Sequence, residues 1–349
     1  MRKVAVIAVM LLTGVVAMAD RQDLAKAKNA KKDEFYTQRV DIENELRHYK
    51  EHFKGKVVLC NCDDPRESEF FKYFAENFEH LGLKRLIATC YKSQDVDLFS
   101  QGASERAICQ IYEGDKNGNM TLDDDEIGVH ELNGDGDFRS EECIELLKQA
   151  DIVVTNPPFS LFREYIAQLF QYDKKFIIIG NVNAITYKEF FPMIKDNKVW
   201  MGVTIHSGDR KFGVPDDYPL NAAGCGVDER GKKFIRVKGV RWWTNLDYPQ
   251  RHETLPLYKK YTPEEFPKYD NYDAINVDKS SDIPYDYDGI MGVPITFLDK
   301  YCPEQFEIID INPHFFSLVE QGLPKLKQLT LKNVGRKDPY ARILIRRRK

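Results

Sequence analysis

The sequence predicts an α/β protein in which a doubly wound parallel sheet, with helices on both faces, precedes a C-terminal α+β region. Short apolar runs rich in β-branched residues alternate with helical stretches as far as about residue 200, an order typical of parallel sheets. Beyond that point the predicted strands shorten, and Gly, Pro and aromatic residues become frequent. A chain of 349 residues that is 42% hydrophobic is also long enough for two domains.

Strands and helices alternate through the first 180 residues. Apolar runs predict strands at residues 56–60, 86–90, 151–155 and 174–179. Apolar residues at helical spacing predict helices at residues 41–52, 67–78, 141–149 and 161–172. Asp64 is expected to cap the second of these helices, with Pro65 in its first turn.

The stretch Asn156-Pro157-Pro158-Phe159 ends the strand that begins at residue 151. Its prolines fix φ and lack an N–H, so they predict a stiff turn at the strand's carboxyl end, where open α/β sheets bind ligands. The Asn156 side chain and the Pro157 carbonyl are hydrogen-bond acceptors, and Phe159 supplies an aromatic face. The set contains no acid, base or thiol. It is suited to binding a flat ring that carries an amine while a separate electrophile reacts with that amine. A proline turn with no ligand is the alternative.

Two further groups of residues are candidates for ligand binding. The loop after residues 56–60 lacks the glycines of a nucleotide site, and its Asp63 and Asp64 would repel phosphate but suit an amino group or ribose hydroxyls. Asp137 and Phe138 precede the helix at 141–149, where they either line a base pocket or form a capping turn. The segment 35–37 either joins the same site or packs the following helix onto the core.

Charge and cysteine content constrain the function less than these motifs do. The net charge is −4, but residues 301–349 carry ten Lys/Arg against five Asp/Glu and end in a basic run at 346–349. Such a tail is either a solvated end or a phosphate contact. Seven cysteines without framework spacing argue against a secreted disulfide scaffold.

Residues 1–19 resemble a secretory signal, because Arg2-Lys3 precedes an apolar run and a small-residue segment. We instead expect translation to start at Met18, which would make residues 1–17 a misassigned start and the protein cytoplasmic. The run is too short to span a membrane, so no membrane partner is expected.

Residues 115–126 carry oxygen-bearing side chains at the ligand positions of an EF-hand calcium loop, but Met120 replaces the sharp-turn glycine. A β-hairpin turning at residues 116–119 is the favoured interpretation, and no metal is expected.

Asn-Pro-Pro-Phe resembles the catalytic motif of amino-group methyltransferases that use S-adenosylmethionine. Longer stretches, at residues 33–46, 57–78, 135–183, 268–276 and 291–309, resemble the EcoRI-type adenine-specific DNA methyltransferases. The resemblance implies a Rossmann-like methyltransferase domain at 33–200, after an N-terminal lead at 1–32, and a target-recognition region at 201–349. It implies methyl transfer to N6 of an adenine flipped out of duplex DNA, within a restriction-modification system that pairs functionally with an endonuclease.

The resemblance also assigns site residues. Asn156, Pro157, Pro158 and Phe159 would hold the target adenine. The S-adenosylmethionine contacts would be Phe35, Tyr36, Thr37, Asn61, Asp63, Asp64, Asp137 and Phe138, the last two shared with the target base.

Three alternatives remain open. The same motif suits cytosine N4, an RNA base or a protein glutamine as methyl acceptor. A catalytically silent DNA-binding protein would keep the fold without the chemistry. An exported calcium-binding protein would explain residues 1–19 and 115–126 together.

Overall fold

A computed structural model describes residues 35–91, 107–119, 122–214, 218, 220, 224–312, 314–316, 318, 321–322, 326 and 328–348. The signal-like segment 1–19 and the rest of the lead at 1–32 lie outside the described residues. No helix in these ranges has the length and apolar character needed to cross a membrane.

The strands are, in chain order, β1 Tyr36–Thr37, β2 Val57–Asn61, β3 Arg85–Thr89, β4 Ile108–Tyr112, β5 Gly128–Glu131, β6 Ile152–Thr155, β7 Lys175–Asn181, β8 Trp200–Met201, β9 Asp209–Gly213, β10 Cys225–Val227, β11 Lys233–Lys238, β12 Val240–Thr244, β13 Ile275–Asn276, β14 Met291–Pro294, β15 Phe306–Asn312 and β16 Arg342–Arg347. The α-helices are α1 Arg39–Leu46, α2 Lys50–Phe53, α3 Glu69–Glu76, α4 Phe78–Leu81, α5 Glu141–Gln149, α6 Phe162–Gln171 and α7 Phe191–Lys195. Single 3₁₀ turns occupy Asp124–Glu126, Phe159–Leu161, Val182–Thr186, Pro249–His252, Ser280–Asp282, Ile295–Lys300 and Lys332–Val334.

The chain forms two compact units. Unit 1 takes residues up to Glu43 together with Phe53–Lys174 and Asp209–Lys238, and unit 2 takes Asn44–His52, Lys175–Gly208 and Gly239–Lys349.

Unit 1 contains a mixed sheet with the strand order β5-β4-β3-β2-β6. Strand β2 runs parallel to both β3 and β6, whereas β4 and β5 are added antiparallel. All five residues of β2 are buried, as expected for a strand covered on both faces. Because β2, β3 and β6 are parallel, the loops that follow them lie at one edge of the sheet.

A second sheet in unit 1 has the order β1-β9-β11-β10, with all its pairs antiparallel. Strand β1 pairs Tyr36 with Gly213 and Thr37 with Phe212. Since directly opposed residues share a face, Thr37 and Phe212 lie on one face of this sheet and Tyr36 on the other.

Unit 2 contains the antiparallel strands β7-β12-β8 and a separate sheet of order β13-β14-β16-β15. Its core is aromatic, with the Trp243 and Phe190 rings 4.8 Å apart and nearly perpendicular. The fully buried Glu45 carboxylate accepts hydrogen bonds from the backbone N–H groups of Val203 and Thr204 at 2.8 and 2.9 Å. These bonds compensate the cost of burying the charge.

The predicted order of strands and helices is confirmed through residue 180, with helix α5 at the predicted bounds. The predicted helix at 41–52 is interrupted between α1 and α2. The prediction of a wholly parallel sheet was too simple, because a β4–β5 hairpin and β12 add antiparallel strands. The predicted hairpin is confirmed, although its loop runs from 113 to 127 rather than turning tightly at 116–119.

One local prediction was wrong. Helix α3 begins at Glu69 with Ser68 in the N-cap position, so Asp64 does not cap it and instead pairs with Arg66 at 2.6 Å.

The basic run near the C-terminus has protein contacts in this structure. Arg346 pairs with Glu307 at 2.8 Å, and Arg348 donates to the Phe306 carbonyl at 3.1 Å.

Candidate active site

The candidate residues of unit 1 gather at the carboxyl edge of its parallel strands. Strand β2 leads into the loop at 61–64, and β6 leads into the turn at 156–159. Gly136 holds the loop before α5 against the end of β3, because a Cβ there would lie 2.1 Å from the Cys90 carbonyl oxygen. Its φ of +76° is one that glycine adopts readily. All three predicted loops are therefore at the same edge.

Asn156 is the central polar residue of this edge. It is 6% exposed, and its Nδ2 donates a hydrogen bond to the Phe35 carbonyl at 2.5 Å. This bond fixes the orientation of the amide and directs its oxygen away from Phe35. The Asn156 Oδ1 atom is buried and has no hydrogen-bond partner among the described residues. A buried acceptor without a partner is costly, and such an atom in a pocket is typical of a site that a ligand completes.

Phe35, whose carbonyl Asn156 contacts, packs against three other rings, and we call Phe35, Phe159, Phe212 and Tyr218 the aromatic cluster. The Phe35 ring centroid lies 6.0 Å from that of Phe159, 6.1 Å from that of Phe212 and 6.4 Å from that of Tyr218. Phe159 and Phe212 are themselves 6.4 Å apart and perpendicular. Phe159 is only partly buried, so part of its surface remains available to a ligand.

Phe212 and Tyr218 were absent from the sequence prediction. Neither lies near a recognisable motif, and Phe212 reaches the site only because β9 pairs with β1. The alternation of strand β9, with Phe212 buried between more exposed neighbours, marks a core position but gives no indication of its partner.

Strand β1 contributes a second buried polar atom without a partner. Thr37 is 2% exposed, and its Oγ1 has no hydrogen-bond partner within the described part of the chain. Thr37 faces the same side of the sheet as Phe212, whereas Tyr36 lies on the opposite face and is half-buried.

The loop after β2 replaces the expected glycine turn with a cysteine. Cys62 adopts φ +83°, a left-handed conformation that side-chain-bearing residues rarely hold outside functional sites. Burial raises the pKa of its thiol well above the usual value, which disfavours the reactive thiolate. The loop lacks the glycines of a nucleotide site, yet its backbone adopts at Cys62 a positive φ of the kind that glycine takes readily.

The polar side chains of this loop are already partly engaged. The Asn61 side-chain oxygen accepts a hydrogen bond from the Tyr165 hydroxyl, and its carbonyl accepts one from the Thr155 hydroxyl. Asp63 accepts from Ser68 Oγ at 3.3 Å. Asp64 is bound on both oxygens by Arg66, at 3.0 and 2.6 Å. These contacts orient the loop, and Asp63 and Asp64 are both buried in it.

Asp137 and Phe138 also contact their own neighbours. The Asp137 carboxylate accepts from Arg139 at 2.9 and 2.6 Å, and Arg139 also pairs with Glu164 at 2.6 Å. The Phe138 ring is 7% exposed and packs against Tyr165 with a centroid distance of 5.0 Å. Phe138 therefore supports the loop from within the core.

The calcium-like loop has several hydrogen bonds between its own described residues. Asn117 and Asn119 each donate to Asp123 Oδ2, at 2.8 and 2.6 Å, and Glu126 accepts from the Lys116 N–H at 2.7 Å. Across the described ranges, no three His, Cys, Asp or Glu side chains are grouped as metal ligands.

The comparisons that found a match all gave methyltransferases. The profile of the protein family described as "Adenine-specific methyltransferase EcoRI" matches residues 23–348. Type II methyltransferase M.EcoRI of Escherichia coli is 53% identical over 328 residues, which cover 93% of this chain and 96% of that protein. Type II methyltransferase M.MgeORF184P of Mycoplasma genitalium is 38% identical over 330 residues, covering 92% and 98%. Type II methyltransferase M.MpnI of Mycoplasma pneumoniae is 37% identical over 334 residues, covering 93% and 97%. No solved structure matches the chain.

Proposed function

Because this chain belongs to the family of EcoRI adenine-specific methyltransferases, we propose that it transfers a methyl group from S-adenosylmethionine to N6 of an adenine in duplex DNA. The observation that carries the proposal is the buried, unpartnered Oδ1 atom of Asn156 beside the aromatic cluster. The amide oxygen can accept a hydrogen bond, and the exocyclic amine of a base can donate one.

Asn156 and Pro157 act on the target amine. The lone pair of a ring amine is conjugated into the ring, which makes the nitrogen a poor nucleophile. Asn156 Oδ1 accepts one amine hydrogen and the Pro157 carbonyl the other, which favours a pyramidal nitrogen with its lone pair free. The hydrogen bond from Asn156 Nδ2 to the Phe35 carbonyl holds the amide in the orientation that this step requires.

Phe159 and Pro158 position the base. The exposed part of the Phe159 ring stacks on the adenine, and its contacts with Phe35 and Phe212 keep the ring in place. Pro158 holds the turn between the acceptors and the ring. Approximation and orientation supply most of the rate, without a covalent intermediate.

S-adenosylmethionine supplies an electrophilic methyl group carried on a sulfonium. The chain's residues fit this donor, because Thr37 offers a buried hydroxyl with no partner among the described residues and the partly exposed Phe159 ring offers a π-face to a cation. We assign the methionine part to Phe35, Tyr36 and Thr37, with Tyr36 contributing its backbone because its side chain lies on the opposite face of β1.

The remaining donor contacts are assigned to the loops at 61–64 and 137–138, in a Rossmann-like arrangement at the carboxyl edge of β2, β3 and β6. Asp63, which also accepts a hydrogen bond from Ser68, is assigned a direct donor contact. Asn61, Asp64, Asp137 and Phe138 act mainly by fixing these loops, since their side chains already have protein partners.

The substrate and setting follow from the family. An amine inside a base stack is out of reach, so the adenine is flipped out of the duplex. We propose that residues 201–349 supply most of the sequence recognition. We further propose that the enzyme works in the cytoplasm, without a metal, and protects DNA from a cognate endonuclease that it need not contact.

The test uses purified protein, tritiated S-adenosylmethionine and unmethylated bacterial DNA, with nucleoside analysis of the product. We expect label in N6-methyladenine, and its loss in Asn156→Ala at unchanged DNA affinity. Turnover by Asn156→Ala at the wild-type rate would refute the assignment of Asn156. Label in N4-methylcytosine, RNA or protein would change the acceptor, and donor binding without any transfer would favour a silent DNA-binding protein.

A further inference from the structure

We infer that Arg210 and Thr37 form a subsite for the carboxylate of the methyl donor's amino-acid part. This inference rests on the proposed function and adds to it a residue, Arg210, that lies outside every predicted motif. It begins from the distribution of buried polar atoms that have no partner.

Three of the four such atoms described in unit 1 lie on the second sheet or on a residue that contacts the segment just before it. They are Asn156 Oδ1, Thr37 Oγ1 and Arg210 Nε, each buried and without a hydrogen-bond partner in the described ranges. Asn156 is tied to Phe35 through the Phe35 carbonyl, and Thr37 follows two residues later on the same face of β1. Each unsatisfied atom carries a free-energy cost, so a run of them indicates that one ligand satisfies several.

The strand register places Arg210 beside Thr37. Phe212 is directly opposite Thr37, and Arg210 lies two residues from Phe212 in β9. Alternation along a strand therefore puts Arg210, Phe212 and Thr37 on one face. Lys211 lies between them in sequence and points to the other face, where it stacks on the Phe234 ring at 4.2 Å.

The present partners of Arg210 leave its guanidinium able to bind an anion. Its Nη1 donates to the Asp209 carbonyl at 3.2 Å, and its Nε lies 3.9 Å from an Asp41 carboxylate oxygen, too far for a hydrogen bond. The side chain is 30% exposed, so the charge is only partly desolvated. Arg210 thus has a loose ion pair and an unused N–H.

A carboxylate fits this set of groups better than a neutral ligand does. It accepts from the guanidinium and from the Thr37 hydroxyl together, which are the donors that this stretch leaves unused. An amino-acid end group also carries an ammonium, and Asp41 beside Arg210 offers that ammonium an opposite charge. The methionine end of the donor has both charges. The adenosine end has neither, so it is the methionine end that belongs here.

The experiment compares two ligands that differ only in the amino-acid part. S-adenosylhomocysteine carries the carboxylate, whereas 5′-methylthioadenosine keeps the adenosine and sulfur and lacks it. Binding of each is measured by titration calorimetry on the full chain in wild type, Arg210→Gln and Arg210→Lys. Lys211→Gln is the matched control, because it removes a neighbouring charge of the same strand from the opposite face.

We expect Arg210→Gln to weaken S-adenosylhomocysteine about 10- to 100-fold, the range for a hydrogen bond to a charged group. Its affinity for 5′-methylthioadenosine should stay within about 2-fold, Arg210→Lys should recover part of the loss, and Lys211→Gln should change neither ligand. Equal losses for both ligands, or no loss for either, would overturn the subsite. If the wild type binds neither ligand, the donor assignment fails and the subsite fails with it.

Discussion

Gly136 gives the sharpest test of how the candidate site is held together. It adopts φ +76°, and a Cβ at this position would lie 2.1 Å from the Cys90 carbonyl oxygen and 2.9 Å from the Ala107 Cβ. Gly118 adopts nearly the same φ, +77°, but a Cβ there would meet nothing within 4 Å. The two glycines therefore share the backbone cost of an alanine substitution and differ only in the steric overlap.

The expected magnitudes follow from this comparison. An L-residue forced into the left-handed region costs about 1–2 kcal/mol, which is the whole effect expected for Gly118→Ala. Gly136→Ala adds the displacement of the Cys90 backbone, since real Cβ atoms do not come closer than 3.0 Å. Overpacking of that kind costs about 1–3 kcal/mol, for a total of about 2–5 kcal/mol.

Urea denaturation of the full-length variants measures both values, and single-turnover methylation measures the effect on chemistry. Gly136→Ala should also slow methylation, because the shift moves the loop that carries Asp137 and Phe138. Equal free energies of unfolding for the two variants would refute the reasoning that close contact with β3 positions this loop.

Two further predictions concern the aromatic cluster and a histidine in unit 2. Phe212→Leu should keep the fold but lower kcat on the order of 10-fold, because Phe159 loses its perpendicular neighbour. The control is Phe78→Leu, a buried substitution against Tyr112 that should leave kcat unchanged. If the two variants have equal kcat values, Phe212 has no positioning role. His252 is bound by Asp247 at 2.8 Å and by Glu304 at 2.9 Å, and these hydrogen bonds raise its pKa above 6.5. A raised histidine pKa stabilises the fold fully below about pH 6.5 and loses that contribution as pH rises through the folded value. Between about pH 6 and pH 8.5 the thermal midpoint should therefore fall more in wild type than in His252→Gln. The difference between the two proteins should be small, because the His252 side chain is 39% exposed. Identical pH profiles would contradict the stabilising role of His252.

The sequence was most informative where structure is local. The Asn156–Phe159 turn, the buried strand before it and helix α5 depend on proline geometry and apolar periodicity, which are readable within a few residues. These rules located the loops, and parallel pairing brought them to one edge.

The rest depended on contacts between distant residues. Phe212 reaches Phe35 and Thr37 across about 175 positions of sequence, through a strand pair of only two residues. The N-cap prediction failed at Asp64 because helix α3 begins five residues later, at Glu69, with Ser68 in the N-cap position. Local propensity describes what a side chain can do but not which of its possible partners will be present.

Strand β16 has a consequence for the order in which the protein can fold during synthesis. It lies between β14 and β15, pairing Gly292 with Leu344 and Ile308 with Ile345. During synthesis β14 and β15 leave the ribosome before residues 342–347 do. Until β16 is available, each of these two strands therefore has one edge with unpaired hydrogen-bonding groups. Such edges invite association with other nascent chains. A ribosome that stalls shortly before residue 342 would therefore release a chain whose unit 2 sheet lacks its middle strand, and we expect that product to aggregate rather than fold.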